Sequence, residues 1–229
     1  MPSYLIYHPK RVQSVIDGIT IYHDTTTGNQ DPYIWNKQFL HTYCHITQIT
    51  SEGGQINFWV SGDTFPNFSH LYCDLVFVIQ QKLYWEQTNY IERTNPLVES
   101  DETFNDHYQW AMYQHPLTRR RRYTLKADPK SSFQPQSSSS SLLDVLPFLV
   151  KKGIDIESLR KGMQAGRGSK PFRLESKHSD DLYKWLVLNA NIKLNGFQLQ
   201  MIRLIHNELA SPVPKAIVNP PEKVQSPKC

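Results

Sequence analysis

The sequence predicts an α+β fold, with a mainly antiparallel or mixed sheet in its N-terminal part and a helical, basic C-terminal part. Three observations predict it. Three or four aromatic and β-branched runs fall within the first 80 residues, whereas helical spacing and capping signals come later. Residues 1–118 carry 5 Lys/Arg against 12 Asp/Glu, while residues 119–229 carry 20 against 9. A Ser/Pro/Gln-rich stretch over 129–141 separates the strand-rich part from the helical one.

Taken in order, Tyr4–Tyr7 and Ile19–Tyr22 read as strands, with a turn at Asp17-Gly18 between them. Asp24–Asp31 reads as a loop. Phe39–Ile49 alternates as a strand does, and Ser51-Glu52-Gly53-Gly54 reads as a hairpin turn into Gln55–Ser61, giving an antiparallel pair. Gly62–Ser69 is a loop before Leu71–Ile79, the strongest strand signal. Its Leu-Val-Phe-Val-Ile centre is apolar on both parities, which predicts a central strand covered on both faces. Phe104–His115 has helical spacing and is stopped by Pro116, and Arg119–Arg122 runs into an extended Tyr123–Ala127.

Residues 129–141 offer little to bury and are expected to be a flexible surface loop. Ser141 with Asp144 reads as a capping box before a helix over Leu142–Val150. Asp155–Lys161 is a short second helix, and Gly162–Lys170 a mobile connection. Ser179-Asp180-Asp181 opens a helix through Leu188, its acids complementing the dipole. Asn195 with Gln198 forms another capping box, ahead of an apolar stripe at Leu199, Ile202, Ile205 and Leu209. The expected organisation is one compact domain over 1–210, strand-rich over 1–128 and helical over 142–210, with a flexible tail over 211–229.

Composition bounds the function classes. Cys44, Cys73 and Cys229 are odd in number and lack framework spacing, which points to a reducing compartment and, with no leader-like start, to the cytoplasm. No apolar run reaches membrane-spanning length, so no membrane partner is expected. Neither a Gly-x-Gly-x-x-Gly fingerprint, a Walker-type loop nor a Gly-x-Ser-x-Gly elbow is present.

Four groups of residues bear on chemistry. Cys44, His45, His70, Cys73 and Asp74 contain zinc-ligand types, but adjacent strand residues face opposite ways, and the cysteines read equally as small core residues. Asp101–Trp110 concentrates carboxylates, a phenol and an imidazole at a helix entrance. Asp106 and His107, joined by Asp74, are therefore candidates to activate water against a phosphodiester, Asp74 and Asp106 holding Mg²⁺. The alternative for the segment is a helix N-terminus that favours acids. Glu175 and Lys177 have the acid-x-Lys form found in phosphodiester hydrolases, provided that the chain there is extended.

The strongest signal is basic. Arg119, Arg120, Arg121 and Arg122 precede Tyr123, Lys126 and Lys130, and between 119 and 130 six basic residues accompany one acid. Guanidinium forks match phosphate oxygens, and a neighbouring ring stacks on a base. Arg167, between Gly166 and Gly168, extends the set. The expected partner is DNA or RNA, with a homodimer as a second association. The expected function is a nucleic-acid-acting protein of the metal-dependent nuclease type, the alternative being a non-catalytic binding module. Against both stands mutual neutralisation of the acidic and basic halves within one globule.

Overall fold

The computed structural model describes residues 3–8, 11–23, 49–84, 123–165 and 168–201. Among these, Ser3–His8 (β1), Val12–Ile16 (β2), Ile19–His23 (β3), Ile56–Gly62 (β4), Leu71–Tyr84 (β5) and Tyr123–Ala127 (β6) are strands. They are followed by Phe133–Gln136 (β7), Leu143–Asp144 (β8), Gln164–Ala165 (β9), Gly168–Ser169 (β10), Phe172–Leu174 (β11) and Ile192–Asn195 (β12). The helices are Leu146–Lys151 (α1), Ile156–Met163 (α2), Ser176–Asn189 (α3) and Gly196–Met201 (α4). This is the predicted α+β arrangement of an N-terminal mixed sheet followed by helices. No described helix is long and apolar enough to cross a membrane.

The main sheet runs in the order β11-β1-β4-β5-β7-β12, with β6 and β8 also pairing β5. The β1–β4 pair is parallel and the others antiparallel. β5 is central, as its doubly apolar pattern predicts. Cys73 and Val76 pack on one side, and Leu75, Phe77 and Ile79 on the other. The first face is covered by Leu146 and Leu149 of α1, Leu159 and Met163 of α2, and Leu182 and Leu186 of α3. Against the second lie Ile21 of β3, Ile49 and Leu199 of α4.

Local chemistry explains most boundaries. Asp17 and Gly18 have φ of 51° and 77°, the conformation a two-residue hairpin turn needs, and Ile16 pairs with Ile19 across it. The hairpin is thus β2–β3, and the strand at Tyr4–Tyr7 pairs elsewhere. Asp155 caps α2 by accepting from Ser158 N at 2.7 Å. Asn195 and Gln198 form the expected capping box: Asn195 N donates to Gln198 Oε1 and Gln198 N to Asn195 Oδ1, both at 3.0 Å.

Other expectations differ from the structure. Within the segment expected to be a loop, Phe133–Gln136 is β7, with all four residues buried. Gln134 and Gln136 are buried because their amides satisfy backbone groups of β3: Gln134 accepts from Tyr22 N and donates to Tyr22 O, and Gln136 donates to Thr20 O, each at 2.8 Å. The helix expected from Leu142 begins only at Leu146, since Leu143 and Asp144 pair with Cys73 and Tyr72 of β5. α3 starts at Ser176, three residues earlier than the acids suggest, and Ser179 is buried within it.

Phe39–Gln48 and Phe104–His115 lie outside the described residues, as do Ile202, Ile205 and Leu209. Gly162–Lys170, expected to be a mobile connection, contains the paired β9 and β10.

Candidate nucleic-acid interface

Asp74 sits where the β4–β5 register shifts. Trp59 pairs with Leu75 and Val60 with Cys73, so Asp74 is the extra residue of a β-bulge. Its carboxylate meets the guanidinium of Arg11, at the entrance to β2, and both side chains are only 4% exposed. Gln134 Nε2 donates to the bulged carbonyl of Asp74 at 3.1 Å. The same Gln134 therefore ties the bulge to β3. This carboxylate is engaged within the fold and does not open to solvent, so Asp74 by itself does not fit a hydrated Mg²⁺. Its expected partners Asp106 and His107 lie outside the described residues. Among the described residues, no group of three or more His, Cys, Asp and Glu side chains is arranged to hold a metal ion.

Cys73 and His70 diverge. Cys73 is fully buried in the helix-facing core, and burial, followed by the Asp74 charge, pushes its thiol well above the ordinary value. Thiolate formation is thereby disfavoured. The His70 side chain is 53% exposed, and its Nδ1 lies 2.8 Å from Asp144 Oδ2. The other oxygen of Asp144 accepts from Leu71 N and Leu146 N, each at 3.0 Å. The His70 ring stacks on Tyr72. Its pKa is raised, first by the Asp144 hydrogen bond and then by the charges of Asp144 and Asp63. Cys44 and His45 lie outside the described residues.

Glu175 and Lys177 do not have the expected extended geometry. β11 ends at Leu174, Glu175 is the N-cap position of α3, and Lys177 is in its first turn, so alternation along a strand no longer places them on one side. Both are exposed. Tyr123 opens β6 opposite Tyr84, and Lys126 is half-buried on the same strand opposite Gln81. Arg119, Arg120, Arg121, Arg122 and Arg167 lie outside the described residues.

Further basic residues converge on the outer side of α1 and α3. Asp181 accepts from Lys152 Nζ at 2.6 Å. That hydrogen bond, together with the charges of Lys152, Lys177 and Lys184, holds its carboxyl below the ordinary range. Three cations thus surround one anion. Phe148 of α1 and Trp185 of α3 meet beside them with ring centroids 5.2 Å apart, and Lys152 Nζ lies 5.6 Å from the Phe148 centroid. Leu188, one turn further along α3, is 83% exposed. Positions 177, 181, 184, 185 and 188 recur at helical spacing, so this stripe lies opposite the one through Ser179, Leu182 and Leu186 that packs inward.

No protein-family model, curated protein or solved structure matches the chain. Lys184 and Trp185 are absent from the sequence-predicted site. The signal that finds them is the 177/181/184/185/188 spacing, which becomes legible once α3 is started at Ser176. Asp144 is likewise separated by 74 residues from the His70 it orients, and its visible local signal is that of a cap.

Proposed function

We propose that the protein is a non-catalytic DNA- or RNA-binding module of the cytoplasm that docks through its basic C-terminal half. The carrying observation is the exposure of its cations. Among the described residues from 146 to 201, Lys151, Lys152, Lys161, Lys170, Arg173, Lys177, Lys184 and Lys193 are all exposed, and Lys152 alone of these stands in an ion pair. Among the described residues, no acid of the N-terminal half pairs with any of these cations, which supports an external polyanion as their partner. Engagement of Asp74 by Arg11 favours binding over hydrolysis. The buried Cys73 thiol is free, which agrees with a reducing compartment.

The test is retention of labelled duplex DNA, single-stranded DNA and RNA across a salt titration, with a parallel incubation in Mg²⁺, Mn²⁺ or EDTA. Neutralising about four to six phosphates gives a slope of log K against log salt of roughly −3 to −5, and the polymers remain intact. Absence of retention at low salt would overturn the reading. Metal-dependent cleavage by the folded protein would overturn its non-catalytic part and return Asp106 and His107 to consideration.

A further inference from the structure

We infer that the outer face of α1 and α3 is a platform for a single-stranded nucleic acid, its bases stacking on Trp185 and Phe148 and its phosphates meeting Lys152, Lys177 and Lys184. This deepens the proposal that the basic half binds a nucleic acid and rests on it.

The argument is chemical complementarity. The patch sets three ammonium groups against Asp181, already held by Lys152, and the exposed Asp180 between Lys177 and Lys184, so its net charge is still positive. Within the same patch two aromatic rings lie 5.2 Å apart, and Leu188 stands 83% exposed. A duplex offers phosphates to the lysines but keeps its base faces stacked internally, leaving the rings and Leu188 without a matching surface. A single strand offers both phosphates and unstacked bases, which is the combination that interleaved cations and rings recognise. Lys177 and Lys184 are seven residues apart on α3, about 10 Å along the axis. Both lysines precede Trp185 along the axis, Lys184 by one residue, so a strand running along the helix meets the two cations on its way to the ring. An anionic membrane is the weaker fit. Phe148 and Trp185 are half-buried, leaving Leu188 as the exposed large apolar group of this stripe, a small face for insertion among acyl chains.

The experiment measures fluorescence anisotropy of labelled oligothymidylate, oligouridylate and a duplex of matched length, alongside sedimentation with phosphatidylserine vesicles. The wild-type chain is expected to bind the single strands at least about 10-fold tighter than the duplex. Trp185→Ala is expected to weaken single-strand binding by about 5- to 100-fold and to leave duplex binding nearly unchanged. Trp185 also packs against the core, so Lys177→Glu/Lys184→Glu and Leu188→Glu, which alter exposed side chains, supply the fold-preserving readouts. Both are expected to weaken single-strand binding, and the double variant also to flatten the salt dependence.

Equal binding of duplex and single strand, unaffected by these variants, overturns the platform while leaving the basic-half proposal standing. Failure to bind any nucleic acid overturns both. Sedimentation with vesicles in the absence of single-strand binding overturns the platform in favour of a lipid surface.

Discussion

A carboxylate buried on a central strand is expensive unless a cation meets it, and Arg11 supplies that cation to Asp74. Asp74→Ala removes the carboxylate that faces the buried guanidinium and is expected to destabilise the protein by about 3–5 kcal/mol, read as a lower urea midpoint. The paired change Arg11→Met/Asp74→Leu removes both charges and is expected to unfold at higher urea than Asp74→Ala does. A midpoint for Asp74→Ala equal to wild type would free this residue from the structural role. His70 makes a second prediction. Asp144 raises its folded pKa above the unfolded value of 6.5. The interaction therefore contributes fully below 6.5 and is lost as pH rises through the raised folded value. The melting-temperature gap between wild type and His70→Gln is accordingly expected to be widest under acid conditions and to close at alkaline pH. A constant gap would show that the imidazolium contributes nothing. Residue chemistry was legible in the sequence where a partner is local, as in the Asn195–Gln198 box. It was hidden where partners come from remote strands, as with Arg11 and Asp74.

Among the elements, β5 was readable because its apolar residues fall on both parities, which only a doubly covered strand requires. β7 was not. Its glutamines are ordinary loop residues by composition, and what buries them is hydrogen bonding to a hairpin more than a hundred residues away. Gln134 takes the place of a neighbouring strand for Tyr22, accepting from its N–H and donating to its carbonyl. Gln134→Ala leaves both groups and the bulged carbonyl of Asp74 without that partner. The variant is expected to lose roughly 1–3 kcal/mol, with faster hydrogen exchange at the Tyr22 amide as the local signature. Unchanged protection at that amide would mean that the hairpin is held by other contacts. The proposed nucleic-acid platform belongs to this scale too: its lysines come from two helices, and the start of α3 at Ser176 brings Lys177 onto the stripe that holds Lys184.

At the scale of the molecule, the change in charge after residue 118 is not a change of sheet. β7, β8, β11 and β12, all from the basic half, pair into the sheet founded by β1, β4 and β5. The fragment 1–128 lacks those strands and the three helices that cover one sheet face, so it is expected to give no cooperative unfolding transition. A sharp transition for that fragment would contradict the shared core. The α+β class was legible because strand and helix signals are segregated along the chain; the interleaving was not, because nothing in local pattern says which edge a late strand joins. That topology also sets a timetable for the chain as it is made. Tyr4 of β1 pairs with Arg173 of β11, 169 residues downstream. At a synthesis rate of about 5–20 residues per second, the first strand waits on the order of 10–30 s for this neighbour to emerge. Throughout that interval one edge of β1 lacks its native cover, making the nascent N-terminus a natural client for whatever shields unpaired strands beside the ribosome.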